Sequence, residues 1–337
     1  MKKSSKEILQ ELQRVLSVNG KQNNELLYSE QIAYVLLCNQ NKIRDLHPQF
    51  LSYEEMVKMS FNLSTIGNIY LNINEYETIQ RYFKKLDLKE SIRSIYEDIY
   101  EIFTDHAYKQ KCGQFFTPYN VVEMMVEMTV RGNEQLILDS SCGIGTMLVA
   151  AAEKCNQLGN ANVCLMGIEN DYVLARLANA RLKMNCGERH TVEYADALLY
   201  KADLKADIVL ANPPFGINFN GEISEVTFLK QNMKWVKDGG VLAIVIPDGV
   251  LGNGKHENIR KWIIEQGRIL AVIDLPQSTF QPYTNVKTSM ILIQKEKILG
   301  DYKIFMAVSE KCECREKEDN NLSEVAFAFK EWRDKNI

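Results

Sequence analysis

The chain has 337 residues, of which 46% are hydrophobic and 25% are charged, the usual balance for a globular protein and a length that suits two domains. The formal net charge of −4 at pH 7 differs from the strongly basic balance of proteins that bind duplex DNA unaided. Any contact with nucleic acid should therefore be localised or shared with a partner. Because no run of about 18 uncharged apolar residues occurs, we expect no membrane-spanning helix.

The N-terminal segment and the cysteines indicate a cytoplasmic protein. The segment MKKSSKEILQELQ has two lysines but continues as a charged amphipathic helix, unlike a signal peptide. The eight cysteines lack the spacing of a disulfide-rich secreted domain, and several lie in apolar stretches that suit reduced thiols: Cys112, Cys142, Cys155, Cys164 and Cys186. Cys312 and Cys314 form a Cys-x-Cys pair with no second pair and no nearby histidine, which favours an exposed loop over a metal site.

Residues 1–110 show the periodicity of α-helices almost throughout. Apolar residues recur at steps of three and four in two stretches, as one buried helix face requires: Ile8, Leu9, Leu12, Val15 and Leu16, then Ile92, Ile95, Ile99, Ile102 and Phe103. No stretch in this part is typical of a long β-strand. We therefore predict an all-α N-terminal domain over residues 1–110 that packs rather than catalyses, and a catalytic domain over residues 111–337.

From residue 136 onward, short apolar segments alternate with helical patterns such as YVLARLANARLKMN. The segments typical of strands are LILD, VCLMGIE, TVEY, DIVLAN, GVLAIVIP, ILAVIDL and SMILIQ. This alternation predicts an α/β fold with a doubly wound, mostly parallel, seven-stranded Rossmann-like sheet and helices on both faces. Ligands of such sheets bind beyond the carboxyl ends of the strands, so residues that directly follow strands are the candidates for a site.

Three successive predicted strands end in carboxylates. Asp139 precedes a loop in which Gly143 and Gly145 allow close backbone approach, and Glu169 and Asp196 follow the next two strands. Each acid alone could be a helix N-cap or a solvated loop residue. Together they would serve the phosphates of a dinucleotide poorly but would suit a cationic nucleoside without phosphates. S-adenosyl-L-methionine has that chemistry, and we predict Asp139 near its ammonium group, Glu169 at its ribose and Asp196 at its adenine amine. Glu169, as a strand-end acid, is expected outside the packed core.

The segment DIVLANPPFG ends a buried-looking strand with Asn212, Pro213, Pro214 and Phe215. A simple proline turn needs neither the asparagine before it nor the phenylalanine after it. The amide oxygen of Asn212 and the backbone carbonyl of Pro213 could accept both hydrogens of an adenine N6 amine, and two prolines would keep both acceptors aimed. Phe215 offers a flat face on which an extruded base could stack. The tetrapeptide therefore predicts methyl transfer to adenine N6.

These motifs resemble those of the N6-adenine DNA methyltransferases, and most closely the modification subunits of type I restriction-modification systems. The resemblance covers roughly residues 105–310 and rests on segments in the family's order: GQFFTP, DSSCGIGT, NPPFG, VLAIVIPDGVL and IRKWIIEQGRILAVIDLPQSTFQPYTNVKTSMILIQK. It implies that the cofactor is lined on its methionine side by Phe116, Thr117 and Pro118 and held in a loop by Asp139, Cys142, Gly143 and Gly145. It also implies double-stranded DNA as substrate, a specificity subunit as partner and a restriction subunit as a further candidate partner.

Two residues depart from the family pattern, and two alternative functions stay open. Ser140 stands where the family usually has proline, and Ile144 stands between the glycines where it usually has serine. The chain also ends soon after its last predicted strand, whereas type I subunits usually continue into a helical region that engages the specificity subunit. Because Asn-Pro-Pro-Phe or Tyr also occurs in methyltransferases that act on ribosomal RNA or protein glutamine, those substrates are one alternative. A non-catalytic assembly subunit is the other.

Overall fold

The computed structural model describes residues 4–17, 30–36, 38–39, 50–62, 71–86, 95–103, 116–219, 221–281, 284–298, 300–310 and 320–337. The predictions for Ile92, Cys112, the Cys312 and Cys314 pair and the first half of the GQFFTP segment lie outside the described residues.

The described part of residues 1–110 is helical apart from short connections. Its helices are α1 (Ser5–Ser17), α2 (Tyr53–Asn62), α3 (Ile73–Phe83) and α4 (Ile95–Phe103), with a further helical stretch at 30–36. The helix α3 begins with a capping box, in which the side chains of Asn72 and Glu75 each accept the other's backbone N–H. The predicted face of α1 is buried except at Val15, which is 40% exposed because it lies at the edge of the apolar stripe. The domain boundary at residue 110 stays a prediction.

An α/β sheet follows this helical part. Among the described residues it has eight strands: β1 (Leu136–Asp139), β2 (Cys164–Glu169), β3 (His190–Tyr194), β4 (Ala206–Ala211), β7 (Val236–Pro247), β8 (Arg268–Asp274), β9 (Thr288–Gln294) and β10 (Phe305–Val308). The spatial order is β10-β8-β9-β7-β4-β1-β2-β3. Only β9 runs antiparallel to its described neighbours β7 and β8; the other pairings are parallel. A separate two-stranded ribbon is formed by β5 (Asn218–Phe219) and β6 (Glu222–Ile223).

The α/β class and the seven predicted strands are confirmed, and the sheet contains one strand more than predicted. The additional strand, β10, lies at the sheet edge and pairs only with β8 among the described strands. It is four residues long, and its side chains alternate between half-buried and exposed. A short edge strand that is never fully buried has little apolar signal, which explains why the sequence pattern did not reveal it.

Helices cover both faces of the sheet. One face packs against α5 (Tyr119–Thr129), α6 (Thr146–Gln157) and α11 (Leu322–Asn336), and the other against α8 (Ser224–Trp235) and α10 (Glu257–Gln266). A short helix, α9 (Asp248–Gly252), follows β7. The remaining helix, α7 (Tyr172–Cys186), turns Ala178 and Leu182 toward the sheet and Leu174 and Leu177 toward the N-terminal helices. No helix in the described part of the chain is long and apolar enough to cross a membrane.

The topology places a crevice at the centre of the sheet. The chain runs from β1 outward to β2 and β3 on one side, and from β4 to β7 on the other side of β1. The loops after β1 and β4 therefore leave the same sheet edge in opposite directions, which is the switch point at which ligands of doubly wound sheets bind.

Candidate active site

A cleft of about 750 Å³, part of which is open to solvent, lies at this switch point. The predicted site residues that line it are Phe116, Gly143, Glu169, Asp196, Asn212, Pro213 and Pro214. Those that do not line it are Thr117, Pro118, Asp139, Cys142, Gly145 and Phe215. The structure thus brings residues after β1, β2, β3 and β4 to one cavity, as the rule of strand ends predicts.

The loop between β1 and α6 forms one wall of the cleft. Gly143 and Gly145 have φ values of 52° and 78°, a backbone region that favours glycine. The Gly145 N–H donates to the Cys142 carbonyl over 2.7 Å, which closes the turn before α6 begins at Thr146. A Cβ on Gly145 would lie 3.4 Å from the Cβ of Ala178, so the glycine also allows α7 to approach the loop.

Cys142 is a packing residue of this loop. Its side chain is buried, and its backbone N–H donates to the Ile168 carbonyl over 3.0 Å, which ties the loop to β2. A Cβ on Gly167 would lie only 2.7 Å from the Cys142 Sγ, so the thiol fills the space that this glycine leaves. Burial raises the pKa of the thiol well above its ordinary value, which leaves it protonated and unreactive.

Glu169 supports the glycine loop from the end of β2. One of its oxygens accepts the Gly143 N–H over 2.8 Å, and the other accepts the Asp171 N–H over 2.9 Å. The residue is only 7% exposed, although it lines the cleft. The expectation that Glu169 lies outside the packed core is therefore wrong, because its carboxylate is needed to satisfy backbone donors at the start of the loop and of α7.

Two neighbouring strands of the sheet, β1 and β2, each end in a buried carboxylate. The pKa of Asp139 is raised to about 7, chiefly by burial and further by the negative charge of Glu169, although a hydrogen bond from the Ser141 N–H lowers it. The pKa of Glu169 is also raised to about 7, again chiefly by burial and further by the charge of Asp171, although hydrogen bonds from the backbone N–H groups of Asp171, Gly143 and Asn170 lower it. A pair of acids that ionise at such a high pH in a cleft marks a candidate functional site.

The third carboxylate is more exposed. Asp196 follows β3, is half-buried, and lines the cleft. Its Oδ1 accepts the Leu198 N–H over 2.8 Å, which fixes the side chain at the start of the following turn. Asp196 therefore lines the cleft, as expected of a site residue, and also accepts a backbone N–H in the manner of a helix N-cap.

The tetrapeptide after β4 is held on three sides. Asn212 Nδ2 donates to Thr117 Oγ1 over 2.9 Å, so the amide nitrogen faces Thr117 and the amide oxygen is turned away from it. The Pro214 carbonyl accepts the Ser224 hydroxyl over 2.9 Å, and the Gly216 N–H donates to Glu225 over 2.7 Å. The backbone is thus anchored to the start of α8, and the two prolines add stiffness.

Three of the predicted residues lie behind or beside the cleft. Phe215 packs edge-on against Phe280, with ring centroids 5.8 Å apart and an interplanar angle of 88°. The Pro118 carbonyl accepts the N–H groups of Val121 and Val122, so Pro118 is the N-cap residue of α5. Thr117 reaches the site through its hydrogen bond to Asn212.

The family follows from the span of the sequence match. Residues 88–335 match the family model described as N-6 DNA Methylase. The chain belongs to this family. The match covers the glycine loop, Glu169, Asp196 and the Asn-Pro-Pro-Phe segment, and it confirms the resemblance that the motifs predicted.

Relatives of this chain include methylase subunits of type I restriction enzymes. The MjaVII methylase subunit of Methanocaldococcus jannaschii is 26% identical over 302 residues, which cover 80% of this chain and 52% of that protein. The EcoEI methylase subunit of Escherichia coli is 28% identical over 229 residues, covering 60% and 47%. The chain spans about half the length of these curated relatives.

A solved structure shows the same fold. The crystal structure of the type I restriction-modification system methyltransferase subunit from Streptococcus thermophilus superposes with a TM-score of 0.61 at 18% identity. The superposition covers 98% of this chain and 94% of that chain. The methyltransferase-type sheet is thereby confirmed.

Two features of this cleft are absent from the sequence predictions. Ser140 and Ser141 line the cleft, and their hydroxyl oxygens are buried without a hydrogen-bond partner among the described residues. The only signal for Ser140 was its place where the family usually has proline. The hydrogen bond between Thr117 and Asn212 joins residues 95 positions apart, so no local pattern could have revealed it.

Proposed function

We propose that the chain is a DNA adenine N6-methyltransferase that uses S-adenosyl-L-methionine, and that it acts as the modification subunit of a type I-like restriction-modification system. The observation that carries this proposal is one cleft whose lining includes Asn212 and Pro213 together with Gly143 of the glycine loop and Glu169. A methyl donor held by the loop and an amine held by the tetrapeptide would meet in that cleft.

The residues present fit this cofactor. None of the described residues that line the cleft is lysine or arginine, whereas Glu169 and Asp196 contribute carboxylates. The buried hydroxyls of Ser140 and Ser141 have hydrogen-bonding capacity that the described protein does not use. Such a lining suits a cationic nucleoside without phosphates, with Glu169 at the ribose hydroxyls, Asp196 at the adenine amine and the two serines toward the amino-acid end. When bound, S-adenosyl-L-methionine supplies a methyl group carried on a sulfonium.

The tetrapeptide would hold the other reactant. With its amide nitrogen donating to Thr117, Asn212 can present its amide oxygen to one N6 hydrogen of an extruded adenine. The Pro213 carbonyl would accept the second hydrogen, and these two acceptors would shift the amine toward a nucleophilic geometry. Phe215, which packs edge-on against Phe280, would offer its ring to the base. No general base is required of the chain, since the positively charged methylated nitrogen can lose its proton to solvent.

Sequence recognition is assigned to partners. The net charge of −4 suits a subunit that does not bind duplex DNA by itself. The relatives are described as methylase subunits of type I restriction enzymes. We therefore propose double-stranded DNA as the substrate, a specificity subunit as the partner that reads its sequence, a restriction subunit as a further partner, and the cytoplasm as the location.

The test is transfer of a labelled methyl group by the chain reconstituted with a specificity subunit. Duplex DNA, ribosomal RNA and release-factor protein are offered separately, and the product nucleoside is identified by mass. We expect N6-methyladenine in DNA only, loss of transfer in Asn212→Ala, and unchanged transfer in Asn156→Ala, whose side chain is exposed on α6.

Each other outcome contradicts the proposal in a different way. Label in RNA or protein alone would assign the chain to the alternative substrates. Equal transfer by the wild type and Asn212→Ala would show that the tetrapeptide does no chemistry, as expected for an assembly subunit.

A further inference from the structure

The helix α4, in the N-terminal helical part, contacts the glycine loop directly. The Thr146 hydroxyl, at the first residue of α6, donates to the Glu97 carboxylate. Tyr100 of the same helix packs edge-on against Phe116, with ring centroids 5.2 Å apart. Since Phe116 lines the cleft, α4 contacts two sides of the candidate cofactor site.

Arg181 connects the helix and the loop. It lies on α7 and is only 3% exposed. Its Nη1 donates to the Ile144 carbonyl over 2.8 Å and to Thr146 Oγ1 over 3.2 Å. On its other side, the guanidinium lies 4.4 Å from the centroid of the Tyr96 ring, and Nη1 lies 3.9 Å from the Glu97 carboxylate. One buried cation therefore binds the loop backbone and two residues of α4.

Ile144 shows the same connection in apolar form. It lies between the two glycines of the loop and is 1% exposed. Its side chain belongs to the hydrophobic cluster of the N-terminal helices, together with Tyr96, Ile99 and Leu177. The departure from the family's serine thus has a physical reason, since an isoleucine at this position anchors the loop in the helical core.

We infer that Arg181 is a positioning residue that couples the docking of α4 to the shape of the glycine loop, so that the helical part sets the affinity of the cleft for its cofactor. The identity of the cofactor rests on the proposed function, whereas the coupling rests on the contacts of Arg181, Ile144 and Glu97.

The coupling follows from the burial of the charge. A buried guanidinium is costly unless its charge is paired, and among the described residues Arg181 has bonded partners for Nη1 but none for Nε. If α4 moves away, Arg181 loses Glu97 and the Tyr96 ring, and it must turn toward water to regain solvation. That movement would break its hydrogen bond to the Ile144 carbonyl and release the loop segment that contains Gly143 and Gly145.

The experiment compares two arginines of α7 that both reach the helical part. Arg181→Met removes the cation that holds the loop. Arg176→Met removes an arginine that pairs with Glu30 over 3.4 Å and has no described contact with the loop, so it serves as the matched control. For each variant, calorimetry measures the affinity for S-adenosyl-L-methionine and thermal unfolding measures stability. Hydrogen exchange of the amides of residues 140–146 reports on the loop without any cofactor.

We expect Arg181→Met to bind S-adenosyl-L-methionine about tenfold more weakly, which corresponds to the loss of one hydrogen bond from a charged group. Its loop amides should exchange faster in the free protein. Arg176→Met should keep the wild-type affinity within about twofold, because Arg176 and its partner Glu30 have no described contact with the loop and independent sites have nearly additive effects, even if its melting temperature falls. Glu97→Gln, which keeps the shape of the side chain, should give faster loop exchange and weaker binding, and it decides the question if Arg181→Met does not fold.

Two results would overturn the coupling. Wild-type affinity and unchanged loop exchange in Arg181→Met, or in Glu97→Gln where the first variant does not fold, would show that the loop is set independently of α4. An equal loss in Arg176→Met would show a general effect of weakened docking. Failure of the wild type itself to bind S-adenosyl-L-methionine would contradict the proposed function instead, and loop exchange would still test the contacts.

Discussion

Binding of the cofactor should release protons, and its affinity should rise with pH through neutrality. Asp139 and Glu169 are both buried, and both have a pKa raised to about 7. Below that pH the protonated forms predominate in the free protein. A cationic nucleoside favours the ionised carboxylates, and the ribose hydroxyls need Glu169 as an acceptor. Binding therefore lowers the pKa of these groups, and the affinity increases as pH rises from 6 to 8.

The size of the change in affinity follows from the pKa of Glu169. The groups that act on its carboxylate are the charges of Asp171 and Asp139 and the N–H groups of Asp171, Gly143 and Asn170. If only the ionised form binds, the ionised fraction rises from about one tenth at pH 6 to about nine tenths at pH 8, so the affinity rises about tenfold. At pH 7, binding should release about half a proton from this carboxylate. A contribution from Asp139 would increase both quantities.

The measurement is calorimetric titration with S-adenosyl-L-methionine in phosphate and in Tris at pH 7, since the difference in buffer ionisation enthalpy counts the protons. Asp139→Asn is the control, because it keeps an oxygen for the Ser141 N–H and removes a like charge near Glu169. We expect its pH midpoint to lie below that of the wild type. An affinity that is flat between pH 6 and 8 with equal heats in both buffers, or uptake of protons, would refute the reasoning.

Three further predictions concern other residues. Thr117→Val should slow methyl transfer about 10²-fold by misorienting Asn212, while S-adenosyl-L-methionine binds normally, and Thr117→Ser should restore the rate. If calorimetry shows weaker cofactor binding in the valine variant, Thr117 instead has the cofactor-lining role that the family resemblance implied. Asp139→Asn should raise the free energy of unfolding at pH 8, by as much as about 4 kcal/mol, and much less at pH 5. The folded protein holds the Asp139 proton up to about pH 7, whereas the ordinary pKa of this carboxyl is 3.8. The stabilising contribution of the native carboxyl is therefore lost as pH rises through 7. A pH-independent difference in urea unfolding would exclude this cause. Replacement of Asn232 by leucine should raise the free energy of unfolding by about 1–3 kcal/mol. The reason is that Asn232 is fully buried on α8 and both of its amide atoms lack a hydrogen-bond partner among the described residues. A lowered unfolding midpoint would contradict this prediction.

The strands were predictable because buried strands have a recognisable local sequence pattern. Apolar runs such as LILD and SMILIQ become β1 and β9, since strands covered on both faces read as continuous hydrophobic segments. The four-residue β10 is half-exposed at the sheet edge and does not show this pattern. Val15 shows the same limit in a helix, where an apolar residue at the edge of a stripe stays 40% exposed.

The sequence predicted which residues belong to the site better than it predicted what each of them does. Gly143, Glu169, Asp196 and Asn212 line one cleft because parallel strands end at the same sheet edge. The depth of each side chain below that edge depends on packing between distant segments. Asp139 therefore lies beneath the loop rather than in the cleft.

The sequence by itself determined the alternation of strands and helices, the order of the motifs and the chemistry gathered at the strand ends, because these depend on residue type and short spacing. Only the tertiary structure decided that Thr117 orients Asn212, that Glu169 holds the glycine loop, and that Ile144 is anchored among the N-terminal helices. Those contacts join residues far apart in the chain, and their direction is set by how whole helices pack against the sheet.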